Sequence, residues 1–346
     1  MVRANALSRC EQSGDQTAPP TQPLNGHRDQ ISDLTVRAGV DLAVEACQKA
    51  LGEAHVDPEQ ITHTIGITCT NQGNPGYDLP VALQLKLASN VDRMLLHGVG
   101  CAGGLSILRA AAQIAGGASL RRKPARILAF ACELCTPNVR RYLSIAENSP
   151  DSDHVNIAAV LFSDAAAALV LCNEYAMARD DQATPLYRLL EWGHDLIPDT
   201  AELMIFYADT HGYQATLDRA IPQYTKHAIG PMFERLLPSY EEQIKSEPRA
   251  GGTMLRSFEI CDFDWALHPG GRPILDGVAQ ILQLSKDQLQ VSREIYRTRG
   301  NSSSASILVV LDQLRLQSNK EHVIATSFGP GLALELALLR RCSVDE

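Results

Sequence analysis

Apolar positions recur at three- and four-residue spacing from Asp33 onward: Val40, Ala43, Cys47, Ala50 and Leu51 fall on one helical face. Short apolar runs follow. "THTIGITCT" (62–70), "RMLLHG" (93–98), "ARILAFACE" (125–133) and "AAAALVLC" (165–172) predict buried strands, with a helix over 101–118. Later, "LYRLLEWGHD" reads as a strand and Tyr224–Ile244 as a helix. "DWALHPGG" (264–271) is a strand running into glycines, and "GRPILDGVAQILQL" is a helix. "GNSSSASILVVLDQLRL" (300–316) is a turn into a helix, and "HVIATSFGPGLALELALL" (322–339) is two strands joined by Gly-Pro-Gly. Strands alternating with helices indicate an α/β fold. No repeat shows at the level of identity. A strand, a small-residue turn and a helix at 95–118 nevertheless match turn-plus-helix units at 268–284 and 300–316. Two similar halves are therefore expected, 33–180 and 181–346, behind a polar, Pro- and Gly-containing lead-in at 1–32 that reads as disordered.

Composition narrows the classes. The 346 residues carry 31 basic and 40 acidic side chains, a formal net charge of −9. That argues against a nucleic-acid or membrane-surface partner. No apolar run approaches the ~20 residues of a membrane span, and the polar N-terminus does not read as a signal peptide. Nine cysteines in apolar and strand-like contexts are expected to be reduced thiols of a cytoplasmic protein.

Chemistry concentrates in "LLHGVGCAGGLSILR". Cys101 sits between a strand and a helix among Gly98, Gly100, Gly103 and Gly104. A helix start favours a thiolate, and the glycines allow close approach of substrate and backbone; a buried structural cysteine is the plainer reading. The same glycines also fit the dinucleotide pattern G-x-G-x-x-G, with Glu133 standing 30 residues beyond Gly103 where an acidic ribose partner is wanted after about 20. His268 ends a strand ahead of two glycines, and Asn301 opens a helix, where it also suits an N-cap. Cys132 and Cys135 form a lone C-x-x-C, weak for zinc without a second pair. "DFD" (262–264) suits a strand edge better than a metal. Cys, neutral His and Asn together make a complete set for one chemistry. The thiol carries an acyl group, and the other two donate hydrogen bonds to a thioester oxygen as a malonyl group loses CO₂.

In order and spacing, "GVGCAGG", "ALHPGGRPIL", "RGNSSSAS" and "SFGPGLALE" resemble type III polyketide synthases, the chalcone synthase-like enzymes of the thiolase superfamily. The wording between them is most similar to the fungal branch. The resemblance runs from about residue 35 to 340. It implies a thiolase-like αβαβα layered fold of two similar halves, assembled as a homodimer. It implies Cys101 as acyl carrier, with His268 and Asn301 as decarboxylation and oxyanion residues. It also implies that acyl-CoA starters, expected to be long-chain, and malonyl-CoA extenders are used directly, without metal or other cofactor. Ring closure to an alkylpyrone, alkylresorcinol or alkylresorcylic acid is expected to follow. By position, Tyr187 and Ala215 fall where the family has gatekeeper phenylalanines, and Phe206 where plant enzymes have glycine. Cys69, Thr70, Cys135, Asn138, Tyr213, Gly271 and Ser303 match substrate-pocket positions, and "NPG" (74–76) a loop that approaches the partner subunit. The family's opening strand and the basic residues that hold CoA phosphates have no match in 1–32, so a missing first strand and weak CoA binding are expected. A ketoacyl synthase III-like single condensation and an inactive truncated remnant are the alternative readings.

Overall fold

The structure is a computed structural model that describes residues 2–3, 28–71, 73–137, 142, 147–148, 157–178, 184–209, 212–246, 256–317 and 320–342. Its strands are β1 (Val2–Arg3), β2 (His63–Ile67), β3 (Asp92–Leu96), β4 (Arg126–Glu133), β5 (Ala165–Cys172), β6 (Tyr187–Leu196), β7 (Met204–Asp209), β8 (Gly212–Leu217), β9 (Phe263–Leu267), β10 (His322–Gly329) and β11 (Ala333–Arg341). Its principal helices are α1 (Arg28–Ala54), α2 (Asp78–Gln84), α3 (Gly103–Leu120), α4 (Ile221–Ser246), α5 (Arg272–Ile281), α6 (Gln290–Arg299) and α7 (Ser306–Gln317).

Nine strands form one sheet in the order β3-β2-β4-β5-β1-β6-β11-β10-β9. Read outward from its middle, each side repeats the same pairing. β1 is antiparallel to β5, β5 antiparallel to β4, and β4 and β2 run parallel. Likewise β6 is antiparallel to β11, β11 antiparallel to β10, and β10 and β9 run parallel. The two halves expected from the turn-and-helix pattern are therefore a structural duplication.

Side-chain alternation along the strands separates three apolar layers. Ile127, Ala129 and Ala131 of β4, with Val323 and Ala325 of β10, face a central layer that holds α3 and α7. Leu128, Phe130 and Cys132 face α1 on one outside. Ile324, Leu336 and Leu338 face α4 and α5 on the other. Helix, half-sheet, paired helices, half-sheet, helix: this is the expected αβαβα stack. α3 is anchored to the second half by charge as well. The buried Glu335 of β11 accepts from Ser106 Oγ (2.9 Å) and from Arg109 Nε and Nη2 (2.9 and 2.7 Å).

One expectation is corrected. The first-strand position is not empty. Val2 pairs with Leu171 and Tyr187, and Arg3 with Val170, between the two halves. α1 also starts at Arg28, ahead of Asp33. Two residues are too few to show a period, which is why the pattern along the sequence does not reveal the strand. Residues 4–27 lie outside the described residues.

The crossing of α3 and α7 depends on glycine. A Cβ on Gly104 would stand 2.4 Å from Ser304 O and 2.5 Å from Ile307 Cγ2. Gly104→Ala should therefore cost about 1–3 kcal/mol of overpacking. Gly116→Ala, in the same helix but with nothing within 4 Å, should be neutral or stabilise by up to about 1 kcal/mol. Urea unfolding midpoints of the two variants check this; equal shifts would rule out the contact.

Candidate active site

Three separate elements deliver the candidate residues to one cavity. β3 leads through Gly98 and Gly100, both at positive φ (81° and 45°), into a tight turn that carries Cys101 and opens α3. A Cβ on Gly100 would meet Pro330 Cδ at 2.7 Å, and one on Gly329 would meet Val99 O at 2.4 Å. The "FGPG" loop thus packs directly on the cysteine turn. His268 follows β9, its backbone N–H donating to Thr326 O (2.9 Å). Asn301 precedes α7 and is clasped through its backbone: its N–H donates to Leu161 O, and Ser163 N–H donates to its carbonyl, each at 2.9 Å.

Around the thiol, Asn301 Nδ2 lies 3.9 Å and Ser303 Oγ 3.7 Å from Cys101 Sγ. Ser303 N–H donates to Asn301 Oδ1 (2.8 Å). That bond orients the amide with Nδ2 toward the Cys101 sulfur; the N-cap position expected for Asn301 is taken by Ser302. His268 is 2% exposed. Neither of its ring nitrogens has a hydrogen-bond partner among the described residues. Burial lowers its pKa to about 3, with the adjacent Asn301 side chain pulling the other way, so the imidazole is neutral near pH 7. Burial pushes the Cys101 thiol up to about 11, while hydrogen bonds to Ser303 and Asn301 pull it back. An unpaired imidazole beside an apolar cavity has an unused donor and an unused acceptor, an arrangement whose cost is removed when a ligand supplies partners.

Beneath the cavity lies Glu133, fully buried. It accepts from Thr68 Oγ1 (3.2 Å), Cys69 N (3.0 Å), Thr70 N (3.2 Å), Thr70 Oγ1 (2.9 Å) and Ser304 Oγ (2.5 Å). The sequence marked Glu133 only as a poor ribose partner. Its role is to tie the turn after β2 to the turn before α7. Burial, then the nearby Glu133 charge, pushes the Cys69 and Cys135 thiols well above their usual range.

Of the expected pocket residues, Cys69, Thr70, Cys135, Phe206, Ala215 and Ser303 do line the cavity with Cys101, His268 and Asn301. Tyr187 does not. It opens β6 with its ring in the central layer and its hydroxyl donating to Leu311 O (3.1 Å). Phe162, just ahead of β5, lines the cavity. Gly271 caps α5 at φ 152° and stands beside the lining Gly270 rather than in the wall. Tyr213 lies in β8, paired with Ala208; nothing is described of its side chain, and Asn138 falls outside the described residues. The C-x-x-C pair splits: Cys132 faces α1 and donates to Gly39 O (3.2 Å), whereas Cys135 faces the cavity. Among the described residues no cluster of three His, Cys, Asp or Glu could hold a metal ion. Tyr142, Met204 and Phe162 also line the wall. Sequence reading missed all three: Met204 lies in a ribbon separate from the main sheet, and Tyr142 and Phe162 lie outside the strands.

Comparison with known proteins agrees with this fold. The family model "Chalcone and stilbene synthases, N-terminal domain" matches residues 21–174, and the corresponding C-terminal domain matches 194–343. The type III polyketide synthase pspB of Penicillium soppii is 61% identical over 346 residues, 100% of this chain and 86% of that protein. The acylalkylpyrone synthase csyB of Aspergillus oryzae is 34% identical over 90% of this chain and 77% of its own length. The crystal structure of CsyB complexed with CoA-SH superposes with a TM-score of 0.81 at 33% identity, covering 91% of this chain and 82% of the other.

Glu133→Gln keeps the shape but turns an amide N–H₂ toward groups that already donate. It should lower unfolding stability by at least about 1–3 kcal/mol, measured by denaturant titration. A variant as stable as its parent would show that the surrounding N–H and O–H groups do not need the carboxylate.

Proposed function

We propose, for a chain that belongs to the chalcone and stilbene synthase family and is a type III polyketide synthase, that Cys101 carries the acyl chain while His268 and Asn301 bind the thioester oxygen. The convergence of these three residues, from three elements, on one cavity carries the reading. In loading, Cys101 sulfur bonds to the acyl-CoA carbonyl carbon, the carbon–sulfur bond to CoA breaks, and the thiol proton ends on the departing CoA sulfur. This fits a thiol whose raised pKa keeps it protonated until substrate arrives. Malonyl-CoA then places its thioester oxygen between the His268 N–H and Asn301 Nδ2. The carbon–carboxylate bond breaks, CO₂ leaves, and the two donors stabilise the enolate oxygen. The enolate carbon attacks the acyl-Cys101 carbonyl, forming the new carbon–carbon bond and expelling the Cys101 sulfur.

Repetition and ring closure would give an alkylpyrone, alkylresorcinol or alkylresorcylic acid from a long-chain acyl-CoA. The small Ala215 and the apolar Met204 and Phe206 in the wall support an alkyl starter. A relative named as an acylalkylpyrone synthase and a related structure with CoA-SH support the product and substrate classes. CoA thioesters are the only small molecules this chemistry needs; no metal or other cofactor enters it. The assembly is a homodimer. The edge strand β3, paired on one side only, with Met94 exposed, and the exposed Asn74 and Pro75 support that contact. The described cysteines are free thiols, which supports a cytoplasmic setting. No helix among the described residues is long and apolar enough to cross a membrane.

The test is incubation with acyl-CoAs of graded length plus malonyl-CoA, with products identified by mass spectrometry. Cyclised products of several extensions are expected; a single β-ketoacyl product would instead place the chain with ketoacyl synthase III-like enzymes. Cys101→Ala should abolish the acyl-enzyme adduct, and polyketide formation by that variant would refute the nucleophile. His268→Ala and Asn301→Ala should each slow malonyl decarboxylation by roughly 10²–10³. His268→Gln, which keeps a donor, should do less harm. The double variant should lose less than the product of the two; multiplicative losses would mean the donors serve different atoms.

A further inference from the structure

Ser303 is set apart by its backbone and by its hydroxyl. It stands at φ 48°, in the left-handed region that a side-chain-bearing residue enters at a cost, and such strain is kept where a site depends on it. Its hydroxyl oxygen lies 3.7 Å from Cys101 Sγ and 3.5 Å from Cys69 Sγ. Cys69 Sγ in turn donates to Glu133 Oε2 (3.3 Å). Burial, then the Glu133 charge, pushes the Cys69 thiol well up, so Cys69 keeps its proton. A serine hydroxyl has one hydrogen to give. With Cys101 protonated, the bonds run one way: Cys101 S–H to Ser303 Oγ, Ser303 O–H to Cys69 Sγ, Cys69 S–H to Glu133. Once Cys101 loses its proton, its sulfur can only accept. The Ser303 O–H then turns from the neutral Cys69 sulfur to the charged Cys101 sulfur, the stronger acceptor of the two.

We propose that Ser303 is a catalytic hydrogen-bond donor to the Cys101 sulfur, turned toward it whenever that sulfur carries negative charge. That happens twice in each cycle: when the sulfur attacks the acyl-CoA carbonyl, and when the enolate carbon expels it. Ser303 lends a hydrogen bond and keeps its proton; the thiol proton still ends on the departing CoA sulfur. Cys69 competes for the same hydrogen and thereby tunes the nucleophile. The strained turn divides its work. Its N–H fixes the Asn301 amide (2.8 Å), and its hydroxyl serves the sulfur. This inference rests on Cys101 being the acyl carrier.

The test is alkylation of Cys101 by iodoacetamide at a fixed, mildly alkaline pH, followed on the Cys101 peptide by mass spectrometry. Ser303→Gly should slow it by about tenfold, the effect of raising the thiol by roughly one pKa unit. The same change clears space beside the sulfur and relieves the backbone, so the urea midpoint should hold or rise. Ser303→Ala should slow alkylation equally. Cys69→Ala also clears space but removes the competitor, and should speed alkylation several-fold. Access alone would speed all three variants, so alkylation of Ser303→Gly at or above the parent rate overturns the donor. A slower rate that comes with a lowered urea midpoint in Ser303→Gly would make the effect structural and overturn it too. Loading of hexanoyl-CoA onto Cys101 should fall in step with alkylation. A parent chain that is alkylated at Cys101 but forms no acyl adduct there overturns the carrier reading, and this inference with it.

Discussion

Between the start of α3 and the turn that carries Ser303 and Ser304 there is room for a hydrogen atom and nothing larger. Gly103 faces Ile67 and Ser304 there, and Gly104 faces the Ser304 carbonyl and Ile307. This close approach brings Cys101 and Asn301, which open equivalent helices of the two halves, within 4.0 Å of each other. Glu133 secures the arrangement from below by taking donors from both halves at once. A buried carboxylate is costly unless its oxygens are filled, so its network and the helix crossing reinforce one another.

The duplication assigns complementary work to matched positions. His268 follows β9 as Thr68 follows β2, and Asn301 precedes α7 as Cys101 precedes α3. One half supplies the thiol and its carboxylate support. On the mechanism proposed above, the other supplies two neutral donors, His268 and Asn301, with burial holding the imidazole uncharged. Neutral donors in a water-poor site act strongly on developing negative charge, since little solvent competes with them.

Most strands within 62–133 and 263–339 were legible because they are apolar on both faces and their turns are rich in glycine; β3, expected to be buried, is instead an edge strand exposed over Asp92–Met94. Cys101, His268 and Asn301 were legible for the same reason: each sits where a continuous apolar run meets small residues. The misplacement of Tyr187 shows where such reading ends. A tyrosine at a strand start can face either side, and only the register of β6 against β11 settles that this ring enters the central layer. Phe162 and Tyr142 reach the cavity through tertiary contacts of short or irregular segments, which leave no period to read. β1 was missed because its two residues carry no alternation.

The central layer also decides how anything gets in. α3 and α7 are shared by both half-sheets, and their buried leucines, isoleucines and alanines form one apolar body. Parting the halves as two jaws would expose that body to water. Such a motion would lose far more than one substrate could return. The wall that lies outside this body includes the small β7–β8 ribbon, which contributes Met204, Phe206, Ala215 and Leu217. One side of the site is thus fixed by a body shared between the halves, and the other by a two-stranded ribbon that belongs to neither half-sheet.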